Sequence, residues 1–344
     1  MPLPDIIATE AELDDQLTEP TDDLVEALAA LGGDLLILGV GGKMGPTLAR
    51  LARRALDRAG AGQCVIGVSR FSERAVAERL RAVGIETISR DLLDDDALDH
   101  LPDAPNVVFM AGRKFGSTGG EDLTWAMNAD LPARVARRFG GARIVVFSTG
   151  NVYPLVPVGS GGATECQPVA PIGEYAQSCL GRERLFTYYS RRDQTPVSIL
   201  RLNYAIDLRY GILLDVAWRV WRNEPVDLTM GNVNVIWQGD ASRVALRSLA
   251  LAASPPTVLN LTGPETVSVR QLALRFGECL GRAPSFVGEE ASTALLSNAA
   301  RAHHLFGYPR VPLDTMVGWV AHWVMAGGRV LDKPTHFESR DGRF

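Results

Sequence analysis

Tyr175 and Cys179, in the stretch EYAQSCLGRE, pose a chemical question. A phenol can pass a proton to or from a substrate oxygen, but its ordinary pKa of about 10 keeps it neutral near pH 7 unless a cation stabilises the phenolate. A lysine one helical turn further on would supply that charge, and this chain has Cys179 at that position. A thiol is mostly neutral at pH 7 and offers neither the charge nor the hydrogen bonds of an ammonium.

Glycine forms the second constellation. The run LLILGVGGKMGPTLARLARRA places Gly39, Gly42 and Gly45 at a GxxGxxG spacing, with Lys43 and Met44 inside the loop. Glycine is needed there for a tight turn, for backbone N–H groups to approach a pyrophosphate, and for close helix–sheet packing. A glycine-rich turn without a ligand fits the same spacing. The end of the next apolar run bears on which dinucleotide would bind. An acid there would bond the adenosine ribose 2′-hydroxyl, whereas VSRFSER has Ser69 in that place and Arg70 beside it. A missing acid and a present cation favour a 2′-phosphate, so NADP is expected, with NAD as the alternative.

These residues need a scaffold, and the chain alternates short apolar runs with longer amphipathic ones. LLILG, CVIGV, IETIS, NVVFMAG, RIVVFST and VSILRL read as strands apolar on both faces, separated by helices. That pattern predicts an α/β fold with a doubly wound parallel sheet covered on both sides, and a smaller C-terminal lobe. Residues 1–33 read as a helical extension, with Thr21, Asp22 and Asp23 starting a helix that Gly32 and Gly33 stop. Residues 34–203 are expected to bind the dinucleotide. Residues 204–344 form mainly the substrate lobe, with 234–262 returning to the core through VLNLTG. GILLDVAWRVWRN, ASRVALRSLALAA, VSVRQLALRFGECLG, ASTALLSNAARAHHLFG and LDTMVGWVAHWV are predicted helices, and HFESRDGRF a poorly ordered end.

In this order the pieces resemble the extended short-chain dehydrogenase/reductase family, the NAD(P)-dependent epimerases and dehydratases that mostly act on nucleotide sugars, over roughly residues 34–326. The resemblance implies roles for several positions. Asp91, followed by Leu92, matches the acid that contacts the adenine amine. FMAGRKFG resembles H-x-A-G-x-K and puts Ala111 and Gly112 beside the cofactor, with Lys114 near its phosphates. WAMNAD supplies Asn128 at the family's helix asparagine. VVFSTGNVYP is similar to SS-x-x-VYG, so Thr149 takes the place of the catalytic serine or threonine. YAQSCLGRE resembles Y-x-x-S-K-x-x-x-E, with Tyr175 as the catalytic tyrosine, Cys179 at the lysine position and Glu183 at the glutamate. A homodimer through helices of the cofactor domain is implied as well.

The departure at Cys179 leaves three readings. Tyr175 and Thr149 still act on a sugar-like hydroxyl or carbonyl compound, helped by the cofactor's charge or by Lys114. Alternatively, the protein is a catalytically silent NADP-binding regulatory module, or Cys179 itself is a thiol nucleophile. A second departure is Val233, where nucleotide-sugar members carry an arginine that clamps the diphosphate; Arg209 in AIDLRYG is a candidate substitute.

Composition sets the outer bounds. A net charge of −5 without a basic cluster gives no footprint for nucleic acid. The acidic start MPLPDIIATEAELDD lacks a signal peptide's features, and no apolar run approaches a membrane span, so a cytoplasmic protein is expected. Cys64, Cys166, Cys179 and Cys279 are scattered without a CxxC pair, which argues for free thiols and against a zinc site. His303 and His304 point about 100° apart on a helix, so no metal is expected there.

Overall fold

The apolar runs form one seven-stranded parallel sheet in the computed structural model, which describes residues 3–114, 116–333 and 335–343. In chain order the sheet strands are β1 (Leu35–Leu38), β2 (Val65–Ser69), β3 (Glu86–Ser89), β4 (Asn106–Phe109), β5 (Arg143–Thr149), β6 (Val197–Leu202) and β7 (Thr257–Leu261). They lie in the order β7-β6-β5-β4-β1-β2-β3, and every neighbouring pair is parallel. The order reverses between β1 and β4, and a crevice beyond the C-terminal ends of such strands is where an open α/β sheet takes its ligand.

The helices are α1 (Glu10–Leu17), α2 (Asp22–Leu31), α3 (Gly45–Arg58), α4 (Arg74–Arg81), α5 (Glu121–Trp125), α6 (Leu131–Arg138), α7 (Gly173–Asp193), α8 (Ile212–Trp221), α9 (Gln238–Arg247), α10 (Val269–Leu280), α11 (Ala300–Phe306) and α12 (Leu313–Met325). Strand alternation divides the core. Leu35 and Ile37 of β1 pack with α3 and α9, while Leu36 and Leu38 pack on the other face with α6 and Phe186 of α7. A third core fills the C-terminal lobe around Trp237 and Trp319, whose rings meet edge-on at 5.2 Å. No helix among the described residues is long and apolar enough to cross a membrane.

Four segments differ from the sequence reading. The N-terminal extension contains α1 as well as α2; Thr9 and Glu12 close a capping box at its start, and Leu13 and Leu17 are buried in the lobe core. The helix expected over 291–307 shrinks to α11. Thr293–Ala294 instead pairs antiparallel with Val156–Pro157, and Asn298 starts the helix by accepting the N–H of Ala300 at 3.0 Å. The helical stretch after NVVFMAG is interrupted between α5 and α6 by a π-turn over Ala126–Asp130. The polar C-terminal end is tied down: Phe337 is buried, and Arg340 donates to the carbonyl and hydroxyl of Thr293 at 2.7 and 2.6 Å.

Candidate active site

The glycine loop joins β1 to α3 at the centre of the sheet's C-terminal edge. Gly39 has φ +90°, and a Cβ there would lie 2.6 Å from the backbone nitrogen of Ala111, so the tips of β1 and β4 touch only because neither carries bulk. At Gly45 a Cβ would fall 2.1 Å from the carbonyl oxygen of Val40, which is the close packing of α3 beneath the loop. Gly42 is exposed, with only the Gly39 carbonyl at 3.4 Å from a built Cβ, so the loop backbone is open there. The first turn of α3 carries no acid, which keeps its N-terminus favourable to an anion. A Gly39→Ala variant is expected to lose dinucleotide affinity and to melt lower, measured by calorimetry and thermal denaturation, because the strained φ and the Ala111 backbone leave no room for the methyl.

This loop opens on a cleft of about 640 Å³, a volume suited to a small-molecule ligand. Gly39, Gly42, Lys43, Met44, Gly112, Lys114, Thr149 and Tyr175 all line it. Ser69, Arg70, Asp91 and Leu92 are placed differently, outside the cavity wall. Ser69 abuts Gly41, Asp91 accepts the N–H of Leu93 at 3.1 Å, Leu92 is buried, and the exposed Arg70 lies 3.7 Å from Asp91. The wall next to β2 is built instead by α4, through Val76, Arg79 and Leu80.

Tyr175 stands in the first turn of α7, and Thr149 is the last residue of β5. The phenol hydroxyl lies near the side chains of both Thr149 and Cys179. Thr149 also accepts the N–H of Asn151 at 3.2 Å, which fixes its hydroxyl at the cleft wall. Burial, followed by the Cys179 thiol, holds the phenol well above its ordinary pKa, while Arg182 and the Thr149 hydroxyl pull in the opposite direction. Cys179 is fully buried, and burial pushes its thiol up too, with Arg182 the largest opposing influence. A thiol held protonated in a closed core is poorly suited to act as a nucleophile.

Arg182 is the residue the sequence reading missed. It lies seven residues after Tyr175, close to two helical turns, and three after Cys179, so all three share one face of α7. Its guanidinium is 6% exposed as a residue, lines the cleft, and donates through Nη1 to the Phe147 carbonyl at 2.6 Å and through Nη2 to Asn128 Oδ1 at 2.8 Å. Asn128, at the centre of the π-turn, also accepts the N–H of Arg113 at 2.9 Å and donates to the Arg113 carbonyl and the Ser178 hydroxyl at 2.9 and 3.0 Å. The π-turn thus presents one amide that clasps the β4 exit to α7, a use typical of such bulges near sites. Gly112 leaves room for this clasp, since a Cβ there would lie 2.7 Å from Arg182 Nη2.

Lys114 approaches from the β4 exit. Its ammonium lies 5.9 Å from the centre of the Tyr175 ring and 3.4 Å from the Thr335 carbonyl, and burial lowers its pKa to about 8. Lys43 sits 3.2 Å over the ring of Tyr210, with a pKa lowered to about 7 by burial first and then by Lys114 and Lys333. Glu183 faces away from this chemistry. It accepts Ser148 Oγ at 2.6 Å and pairs with Arg201 at 2.7 Å; Arg201 in turn donates to the Tyr153 hydroxyl at 2.7 Å, making a buried buttress behind β5. Val233 is buried in a short pairing with Val267. Arg209 lines the cleft but is bound by Asp207 at 2.8 Å and Asp14 at 3.0 Å, which neutralises it as a phosphate clamp. His303 meets the Thr262 carbonyl at 3.1 Å and the ring of Tyr308 at 5.0 Å, both packing contacts.

Comparison with known proteins agrees with this fold. No curated protein matches the chain in sequence. Among solved structures, MoeE5 in complex with UDP-glucose and NAD is 20% identical, with a TM-score of 0.68 over 86% of this chain and 99% of that one. UDP-glucuronic acid 4-epimerase from Bacillus cereus, in complex with UDP-glucuronic acid and NAD, is 18% identical, with a TM-score of 0.69 over 85% and 99%. The dTDP-glucose 4,6-dehydratase (rfbB) from Bacillus anthracis, in complex with NAD, is 14% identical, with a TM-score of 0.71 over 86% and 97%. At these identities the likeness is one of fold. Residues 35–205, which hold the glycine loop, the Thr149 strand and the Tyr175 helix, match the NAD dependent epimerase/dehydratase family, and the chain belongs to that family.

Proposed function

We propose that the protein is an NAD-dependent enzyme that oxidises or reduces a carbinol or carbonyl carbon of a sugar-like compound, with Tyr175 carrying the proton. The observation behind this reading is that Tyr175 and Thr149 stand together on the wall of a cleft whose floor is the glycine cradle. Gly39, Gly42 and Gly45, with the acid-free start of α3, fit a dinucleotide's pyrophosphate. When bound, the nicotinamide supplies the hydride acceptor or donor. Tyr175 then donates or withdraws the proton at the substrate oxygen, Thr149 orients that oxygen, and Arg182 supplies the cation that family members place at the position of Cys179. The similar solved proteins carry UDP- and dTDP-sugar names, which supports a nucleotide sugar or sugar acid as substrate. The test is to offer UDP-glucose, UDP-glucuronic acid and the corresponding unlinked sugars to the purified protein with NAD, following nicotinamide absorbance and product configuration by NMR.

NAD is the cofactor this reading takes, in place of the NADP expected from Ser69 and Arg70. Arg70 is shared with Asp91, and the similar solved structures are NAD complexes. Calorimetry is expected to show NADP binding no tighter than NAD, and Arg70→Ala leaving NAD affinity unchanged. A preference for NADP of about ten-fold or more would restore the original expectation. Leu123 and Trp125 of α5 and Tyr188 of α7 are exposed. They are the face through which a homodimer would form, with light scattering as the check.

A second reading, cofactor binding without turnover, rests on one observation: the Tyr175 phenol is held far from ionisation in this pocket. Silence toward every substrate above, with NAD still bound, would favour it.

A further inference from the structure

The chain leaves the cofactor sheet for the lobe at Tyr204, in a backbone conformation that a tyrosine rarely adopts. Tyr204 has φ +46°, in the left-handed region. Of the six non-glycine residues with positive φ among the described residues, it is the one that lines the cleft. Its neighbours fix it from both sides. The N–H of Asn203 meets the Leu261 carbonyl at 2.9 Å, and the Asn203 carbonyl accepts the Thr262 hydroxyl at 3.0 Å. The Tyr204 carbonyl accepts the N–H of Ile236 at 3.2 Å, and Ala205–Ile206 pairs in parallel with Ile236–Trp237. We propose that Tyr204 is a specificity-determining residue of the active site: its phenol hydroxyl donates a hydrogen bond to a hydroxyl of the sugar-like substrate and so sets which carbon is presented to Tyr175. The proposal rests on the function above and deepens it by naming a residue that orients the substrate.

Position and strain carry the argument. Leu202, the last residue of β6, is the register partner of Thr149, the last residue of β5, so Tyr204 follows directly on the strand end that adjoins Thr149. Tyr204 and Tyr175 pack against the same lobe core, and both line the cleft. A corner with positive φ is made at least cost by glycine or asparagine, and a bulky residue held there by its surroundings marks a site. The lobe core accounts for the ring. It does not account for the hydroxyl, to which no group among the described residues is hydrogen-bonded. Burial, then Tyr210 and Glu338, hold the phenol above its ordinary pKa, so it stays protonated and remains a donor through the neutral range. Tyr210 also lines the cleft, but Lys43 covers its ring at 3.2 Å.

The test is Tyr204→Phe, which keeps the ring and the backbone and removes one oxygen. NAD-saturated wild type and variant are titrated by calorimetry with UDP-glucose, UDP-glucuronic acid, glucose and glucuronate. The tightest-binding probe is expected to bind the variant about ten-fold more weakly, while NAD affinity and melting temperature do not fall. With a probe that turns over, KM rises by the same factor, kcat falls by less, and the alkaline limb of the pH–rate profile stays where Tyr175 sets it. Among the monodeoxy analogues of that probe, one is expected to bind wild type and variant equally, which identifies the bonded hydroxyl. Equal binding of every probe by the two proteins overturns the proposal. So does a lower melting temperature in Tyr204→Phe, which makes the hydroxyl structural, or abolished turnover with unchanged binding, which makes it a proton carrier. Failure of all four probes to bind a protein that holds NAD overturns it together with the substrate class above. Probe binding that needs Tyr204 in a protein that binds no nicotinamide dinucleotide overturns the proposed function and leaves this site standing.

Discussion

Replacing Tyr175 by phenylalanine is expected to lower turnover by about 10²–10⁴-fold, the usual worth of a positioned general acid or base, while NAD affinity and melting temperature stay near wild type. The variant removes one oxygen and keeps the ring that packs against the lobe core and lies 5.9 Å from Lys114, so little besides proton transfer changes. The pH dependence has a definite sign. Burial and the adjacent thiol raise the phenol's pKa, so Tyr175 is protonated throughout the neutral range. In the direction where it donates a proton, the rate is flat as pH rises through neutrality. In the direction where it must accept one, the rate climbs with pH into the alkaline range. Thr149→Val should cost less, because the residue orients the oxygen without carrying the proton. A Tyr175→Phe enzyme with undiminished turnover would remove Tyr175 from the mechanism and leave only the cofactor cradle of the present reading.

The parts of this molecule legible in its sequence are those set by local pattern. LLIL is a strand because four consecutive apolar residues between breakers can be buried only if both faces are covered, and its alternating residues do enter two different cores. The glycine loop is legible because it needs glycine at fixed offsets. What escaped depends on distant partners. The run ASTALLSNAARAHHLFG has a helix-forming composition throughout, but its first half is taken by pairing with Val156–Pro157, a tertiary contact that overrides propensity. The end of the chain reads as polar and loose, yet Arg340 within it is held by the carbonyl and hydroxyl of Thr293. Arg70 was read from its own position alone, without Asp91 across the rim. Arg182 had a usable signal, its seven-residue spacing from Tyr175. Its significance depends on Asn128 and Phe147, which hold the guanidinium at the cleft, and no local pattern reveals that.

The relation between Cys179 and Arg182 leads to the sharpest expected result on the altered helix. If the cation that supports Tyr175 has moved from the fourth to the seventh position after it, adding a lysine at Cys179 does not restore a missing charge but places a second one beside the first. Cys179 is fully buried and Arg182 nearly so, with no carboxylate among the described residues bonded to that guanidinium. Cys179→Lys alone is therefore expected to lower stability by about 3–5 kcal/mol, the order observed for an uncompensated buried charge, or to keep its new lysine neutral and useless to the phenol. Arg182→Met alone should move the alkaline limb of the pH–rate profile further up, since it removes the largest influence lowering the Tyr175 pKa, and should loosen the Asn128 clasp. The double variant returns to one cation on that face. It is expected to be more stable than Cys179→Lys alone and to bring the alkaline limb below that of Arg182→Met, with a coupling of about 0.5–3 kcal/mol between the two sites. Strictly additive effects on both melting temperature and pH profile would show that Arg182 only fastens β4 and β5 to the helix, and that Tyr175 works without a neighbouring cation.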